Sequence, residues 1–216
     1  MVLKSFHAAC PWEQRLWLII RRFVPHSIRW FYEGCLAVPG QLWYADRKLL
    51  YSMIRAYKPK IVFEVGTWYG GGSTYFIGQA LYENGFGVLF TIEADPAICY
   101  AAKENYNSHL SHLLPYVRFH HGISTEVYPD LLREIGRVEA LFLDGAPDPR
   151  QTLSEFRMFE PYLPNGSILL AHDWDNEKME LLRLYIEASR EWVVKQTLTA
   201  PQSVGFAVCV RSCGSD

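Results

Sequence analysis

Acidic side chains close two apolar runs in the first half of the sequence. Residues 61–63 are apolar and lead into Glu64, and the largely apolar residues 88–92 lead into Glu93. Short apolar runs ended by turn residues are typical of buried parallel strands, and an acidic residue at the end of the second such strand is where ribose hydroxyls are held. Glu93 is therefore a candidate ribose-binding residue, with Glu64 on the neighbouring predicted strand.

A glycine-rich stretch, residues 66–74, lies between these two runs and reads Gly-Thr-Trp-Tyr-Gly-Gly-Gly-Ser-Thr. Glycine lets a ligand approach the backbone closely, and the N–H groups at the start of the following helix favour an anionic group. The alternative is a turn that binds nothing, because short glycine patterns often arise without a ligand. Together with Glu93, the stretch favours a nucleotide-type site at the first strand.

Further polar residues follow two later predicted strands. Asp144 closes the fourth strand, and His172 and Asp173 close the fifth. Parallel pairing brings both ends to the edge at which open α/β sheets bind ligands. Two carboxylates there repel each other unless they are protonated or bridged by a cation. The competing interpretation gives Asp144 a hydrogen bond to the turn at residues 147–150 and leaves Asp173 as a solvated helix cap.

Strand and helix patterns alternate through most of the chain, which predicts a parallel sheet. The last two strand-like runs are joined by the turn at residues 199–203 with no helix between them, which predicts a β-hairpin. The predicted fold is therefore α/β, with a doubly wound, mostly parallel seven-stranded sheet that ends in an antiparallel hairpin. Strands are predicted at 61–63, 88–92, 116–120, 138–143, 167–171, 192–198 and 204–210, and helices at 41–58, from 74, 97–107, 125–134, from 149 and 177–190.

The first residues differ in character from the rest. Residues 1–60 hold 10 Lys and Arg against 3 Asp and Glu, whereas the remainder holds 11 against 20. Aromatic and cationic residues alternate from position 12 to position 32, in a pattern that could lie on a membrane surface but more often packs on its own domain or on a second subunit. We predict an N-terminal helical extension at 1–37, acting as a lid or in a homodimer, and a main domain at 38–216.

Composition limits the compartment and the partners. The net charge of −2 argues against nucleic acid as the main partner. Five scattered cysteines without a C-x-x-C pair are typical of reduced thiols, so a cytoplasmic location is expected.

The order of elements resembles that of class I S-adenosylmethionine-dependent methyltransferases over about residues 38–211. Five ordered motifs narrow the resemblance to metal-dependent catechol-type and small-molecule O-methyltransferases. The E-x-G-x-x-x-G loop is matched by Glu64, Gly66 and Gly70, and T-I-E-x-x-P by Thr91-Ile92-Glu93 and Pro96; G-x-S before P-x-L is matched by Gly122, Ser124, Pro129 and Leu131, F-L-D by Phe142-Leu143-Asp144, and L-L-A by Leu169-Leu170-Ala171.

This resemblance implies S-adenosylmethionine as the cofactor. Its methionine end would meet the glycine loop and the following helix, its ribose would meet Glu93, and its adenine would meet Ser124 and Thr125. The loop is one residue longer than usual, so either Gly72 or Ser73 could meet the carboxylate. The implied cofactor-binding residues are Glu64, Gly66, Gly70, Gly72, Ser73, Thr74, Glu93, Ala94, Ser124, Thr125 and Asp144.

The resemblance also implies a metal site formed by Asp144, His172 and Asp173. Asp144 would lie beneath the reacting methyl group, but the place of the usual lysine base is taken by Pro147. Carboxylate ligands suit Mg²⁺, whereas a histidine ligand shifts the preference toward Mn²⁺. Without a metal, His172 is the candidate general base, and an equally good interpretation makes it a structural histidine at the strand end.

The expected function is S-adenosylmethionine-dependent O-methylation of a small-molecule acceptor, with a divalent metal as a candidate helper. One alternative is a non-catalytic or hydroxylase-like binding protein, because fold does not imply function. Another is an NAD(P)-dependent oxidoreductase, although the loop lacks the G-x-G-x-x-G spacing.

Overall fold

A computed structural model describes residues 19–25 and 37–212. From residue 37 to residue 212, six α-helices and seven strands follow one another, in alternation as far as the closing pair of strands. The strands are β1 (Ile61–Val65), β2 (Val88–Glu93), β3 (Val117–His121), β4 (Ala140–Leu143), β5 (Ile168–His172), β6 (Trp192–Leu198) and β7 (Phe206–Arg211). The helices are α1 (Tyr44–Tyr57), α2 (Ser73–Asn84), α3 (Pro96–His109), α4 (Ser124–Ile135), α5 (Pro149–Phe159) and α6 (Glu180–Ala188), with short 3-10 turns at Arg21–Phe23, Ser111–Tyr116, Glu160–Tyr162 and Glu177–Met179.

The strands form one sheet in the order β3-β2-β1-β4-β5-β7-β6. Strands β1 to β5 pair in parallel, whereas β7 pairs antiparallel with both β5 and β6. The predicted fold class is therefore confirmed, including the closing hairpin.

Helix and strand ends follow local chemistry. Asp95 caps α3 by accepting hydrogen bonds from Ala97 and Ile98, and Asp148 caps α5 in the same way, each followed by a proline at the first helical position. The helix predicted at 177–190 differs in detail, because a 3-10 turn occupies its first residues and α6 ends at Ala188. The strand predicted from 204 begins at 206, after Gly205 adopts a φ of +102°.

Apolar residues cover both faces of the sheet. Alternate residues of β1 point to opposite faces, so Val62 packs with α1 and α2 on one side, and Phe63 packs with α4 and α5 on the other. Burial on both faces explains why the central strands are almost continuously apolar in sequence.

Residues 38 and 39 pack against the glycine loop that follows β1. Val38 is buried, and the N–H of Gly71 donates to the carbonyl of Pro39 at 3.0 Å. Most of the predicted extension at 1–37 lies outside the described residues, and the division at 37/38 stays a prediction. Within the described part, Ile19, Ile20 and Phe23 are exposed. None of the described helices is both long and apolar enough to cross a membrane.

Candidate functional site

The glycine loop after β1 is held by backbone contacts on two sides. The N–H groups of Gly66 and Thr67 both donate to the carbonyl of Ile92 at 3.1 Å, which ties the loop to β2. A Cβ atom on Gly66 would lie 3.1 Å from the backbone of Gly145, and the φ of Gly66 is +103°. Glycine is required here because the loops after β1 and β4 touch through their backbones.

Glu64 contributes a completely buried carboxyl group beside this loop. Thr74 donates its hydroxyl hydrogen to Glu64 Oε2 at 2.7 Å, whereas Glu64 Oε1 has no hydrogen-bond partner among the described residues. Burial raises the pKa of Glu64 to about 7, against the opposing effect of neighbouring hydroxyl groups. A buried acceptor without a partner is costly, so this atom fits a ligand that brings a donor.

Glu93 lies at the end of β2, as predicted. Its Oε2 atom accepts a hydrogen bond from the Trp68 N–H at 2.8 Å, and its Oε1 atom accepts one from the Asp95 N–H at 3.1 Å. Trp68 has a left-handed backbone with φ of +49°, which is uncommon for a bulky residue. Glu93 therefore also fixes the shape of the loop.

A shallow cleft lies between Gly66, Glu93 and the start of α4, and it encloses about 390 Å³ when the space open to solvent is included. Its lining includes four of the residues predicted to bind the cofactor, namely Gly66, Glu93, Ala94 and Ser124. Thr125 is exposed and is not part of that lining. The prediction for Thr125 therefore has no support from its position.

The other loop residues predicted to bind the cofactor lie at the start of α2 or just before it. The helix begins at Ser73 with Gly72 as its N-cap. Gly70 is packed by α3, because its carbonyl accepts a hydrogen bond from the Tyr106 hydroxyl and an added Cβ would lie 2.9 Å from the Tyr106 ring. These contacts give Gly70 a structural role whether or not a ligand binds.

Asp144, His172 and Asp173 come together at the same edge, with potential ligand atoms within 4.8 Å of one another. His172 Nδ1 lies 3.2 Å from Asp144 Oδ1, and His172 Nε2 lies 3.3 Å from Asp46 Oδ2. The Lys178 amino group lies 2.9 Å from Asp144 Oδ1 and 2.7 Å from Asp173 Oδ2. The two carboxylates are thus already bridged by a positive side chain.

Opposite charges set the protonation of this cluster. Burial alone would lower the pKa of His172, but the carboxylates of Asp144 and Asp46 outweigh it and raise the pKa to about 10. Burial likewise opposes ionisation of Asp144, but His172 and Lys178 hold its pKa below the ordinary value. His172 is therefore a cation at neutral pH, a form that donates from both ring nitrogens and cannot accept a proton as a general base.

Sequence reasoning missed three functional candidates. Lys178 follows Asp173 by only five positions, and Asp46 comes from α1, 126 residues before His172. Glu155 lines the cleft and accepts a hydrogen bond from the Ser124 hydroxyl at 2.6 Å. Proximity to Asp173 could have drawn attention to Lys178, whereas Asp46 and Glu155 lie in helices with no local sign of their partners.

Known proteins resemble the chain in sequence and in fold. A family model described as a methyltransferase domain matches residues 63–174, just over half of the chain. No curated protein sequence gives a match. A solved structure from Klebsiella pneumoniae, proposed to be an O-methyltransferase, is 18% identical with a TM-score of 0.69, covering 93% of this chain and 100% of that one.

Two other solved structures contain a cofactor or its product. The O-methyltransferase TomG from Streptomyces achromogenes, in complex with S-adenosylmethionine, is 15% identical with a TM-score of 0.67, covering 80% of this chain and 82% of that one. An O-methyltransferase from Bacillus cereus, in complex with S-adenosylhomocysteine, is 15% identical with a TM-score of 0.65, covering 98% and 94%. The chain therefore belongs to the methyltransferase-domain family and has the fold of class I S-adenosylmethionine-dependent O-methyltransferases.

Proposed function

We propose that this protein binds S-adenosylmethionine and transfers its methyl group to an oxygen atom of a small-molecule acceptor. The observation that carries the proposal is the cleft at the ends of β1, β2 and β4, lined by Gly66, Glu93 and Ser124. The bound cofactors of the TomG and Bacillus cereus structures support the choice of ligand, and their names support oxygen as the accepting atom.

Residues of the cleft lining, together with Glu64 and the start of α2 beyond it, would meet each part of this cofactor. The unpartnered Glu64 Oε1 would accept a hydrogen bond from the amino group of the methionine end, and the first N–H groups of α2 would face its carboxylate. Glu93 would accept hydrogen bonds from the ribose hydroxyls. Ser124 and Glu155, already joined by a hydrogen bond, would lie at the adenine.

Methyl transfer from a sulfonium ion is an in-line displacement, so the protein mainly has to position the acceptor. S-adenosylmethionine supplies the activated methyl group when it is bound. The chain's own contribution is to hold the acceptor oxygen on the methyl axis and to exclude water. Asp144 lies next to the Gly66–Gly145 contact, and its carboxylate would face the acceptor.

The predicted divalent ion stays a prediction, and the donor groups as arranged do not fit it. Lys178 already lies between Asp144 and Asp173, and both ring nitrogens of His172 face carboxylate oxygens. We therefore derive no step that uses a metal.

Calorimetry with S-adenosylmethionine, S-adenosylhomocysteine and NAD tests the proposal. We expect binding of the first two, and we expect Glu93→Ala to weaken it by about 1.5–3 kcal/mol for each charge-assisted hydrogen bond lost. Glu187→Ala is the matched control, because Glu187 is an exposed glutamate on α6, away from the cleft lining. Tighter binding of NAD would favour the oxidoreductase alternative.

Cofactor binding without methyl transfer to any oxygen acceptor would favour the non-catalytic or hydroxylase-like alternative. Equal affinity of the Glu93→Ala and Glu187→Ala proteins would contradict the role given to Glu93. A homodimer and a cytoplasmic location stay predictions, to be tested by sedimentation and by fractionation.

A further inference from the structure

The acidic pair at the ends of β4 and β5 contains its own cation. The Lys178 amino group contacts Asp144 Oδ1 at 2.9 Å, Asp173 Oδ2 at 2.7 Å and the Asp144 carbonyl at 3.3 Å. These three acceptors match the three N–H donors of an ammonium group. Most of the Lys178 side chain is shielded from solvent, with 17% exposed, so the charge pairs are only weakly screened.

The turn after β5 and the 3-10 turn that follows it place Lys178 beside the two carboxylates. Asp173 adopts a left-handed backbone with φ of +57°, and the Asn176 N–H donates to the Asp173 carbonyl at 2.8 Å, which closes a tight turn after β5. The 3-10 turn Glu177–Met179 follows, and the buried Met179 side chain anchors it to the core. The turn brings the lysine back over the carboxylate that lies five residues earlier.

A divalent ion and this ammonium group compete for the same oxygen atoms. Mg²⁺ needs oxygen ligands at about 2.0–2.1 Å in octahedral geometry. The Lys178 amino group lies within hydrogen-bond distance of one oxygen of each carboxylate, and an ion bound there would be placed against it. His172 cannot supply the missing ligand, since its two ring nitrogens face Asp144 and Asp46.

Charge balance points in the same direction. Asp46, Asp144 and Asp173 supply three negative charges, and His172 and Lys178 supply two positive charges, with Lys178 between Asp144 and Asp173. A cation that is part of the chain therefore already pairs with both of these partly buried carboxylates. Lys178 lies in none of the five motifs on which the metal prediction rests, so those motifs could not show that this position holds a cation.

We propose that Lys178 is the built-in cation of this site, that it takes the place of a divalent metal, and that the protein holds its acceptor oxygen without one. The exclusion of metal follows from the charges and distances alone. The consequence for methyl transfer rests on the proposed function, in which Lys178 acts as a positioning residue through Asp144 and Asp173.

Titration with Mn²⁺, followed by calorimetry, tests the exclusion of metal. We expect no binding to the unaltered protein up to about 1 mM Mn²⁺, and at least about tenfold tighter binding to Lys178→Met, since the ammonium group that bridges the two carboxylates is then gone. Lys178→Arg keeps the charge and should exclude Mn²⁺ as the unaltered protein does. Lys195→Met removes an exposed lysine on β6 and is the matched control.

A second substitution identifies the atoms involved. The higher Mn²⁺ affinity of Lys178→Met should disappear when Asp173→Asn is added, because one of the two carboxylates is then lost. Binding of Mn²⁺ to the unaltered protein at or below about 1 mM would overturn the proposal, whether or not Lys178→Met folds well. A protein that methylates nothing would still give the Mn²⁺ result, so the two proposals fail separately.

Discussion

The carboxyl group of Glu64 is fully buried with one oxygen atom unpartnered, and this gives stability a defined pH dependence. Its pKa is about 7 in the folded chain and about 4.5 when exposed. The folded state therefore binds this proton more tightly, so the contribution of Glu64 to stability falls as the pH rises from about 4.5 to about 7 and stays low above that range. Glu64→Gln should remove this penalty.

We expect Glu64→Gln to be more stable than the unaltered protein at pH 8 by up to about 3 kcal/mol, with little difference at pH 4.5. Urea unfolding at both pH values measures the difference. Glu187→Gln, at an exposed position, is the control. A difference that does not change with pH would contradict the raised pKa.

Residue identities at strand ends were predictable, whereas their partners were not. Glu93, Asp144 and Asp173 could be placed at one edge of the sheet because parallel strands have a common direction. Asp46 and Lys178 reach the same edge from a helix before β1 and from the turn after β5. Nothing in the local pattern of either segment specifies such a contact, because it depends on how the helices pack across the sheet.

At the scale of elements, residues 38–40 pack so closely on the glycine loop that there is no space for a side chain at Gly71. A Cβ atom on Gly71 would lie 2.2 Å from the carbonyl oxygen of Val38, whereas one on Gly72 would lie 3.5 Å from its nearest neighbour, the Gln41 nitrogen. The two glycines are adjacent, so they form a matched pair.

We expect Gly71→Ala to destabilise the protein by about 1–3 kcal/mol and Gly72→Ala to cost clearly less, because only the former forces backbone apart. Thermal unfolding measures both. Weaker cofactor binding in Gly72→Ala, at unchanged stability, would indicate that this N-cap position touches the ligand. Equal stability of the two variants would show that residues 38–40 are not packed as described.

Helix starts were the most predictable elements, since Asp95-Pro96 and Asp148-Pro149 carry both the cap and the first helical residue in sequence. Less predictable was the break between the 3-10 turn Glu177–Met179 and α6. The left-handed backbone of Asp173, which precedes this turn, was equally unpredictable, because it is not a glycine.

At the scale of the whole molecule, both core clusters of the described residues are made by residues 38 and later. Deletion of residues 1–37 should therefore leave a folded protein. We expect this protein to lose activity or its oligomeric state, because the aromatic side chains of the extension need a surface to cover. Circular dichroism, sedimentation and a methyl-transfer assay measure the three properties.

A truncated protein that keeps both activity and oligomeric state would argue against a lid or a dimer element. Flotation of the full-length chain with anionic liposomes, lost on truncation, would then support the membrane-surface alternative. Exposed Ile19, Ile20 and Phe23 are the described residues that such a surface would bury.

The position of β7 has a consequence for how the protein is made. Strand β7 is the last of the described strands, yet it lies between β5 and β6, where His172 pairs with Phe206 and Ile168 pairs with Val210. During synthesis, β5 therefore keeps an open edge until β7 has left the ribosome, and because Phe206 emerges before Val210, the end of β5 that carries His172 is paired first and the Ile168 end last. The five parallel strands can pair early, but the far edge of β5 stays uncovered until the chain has been made as far as residue 211.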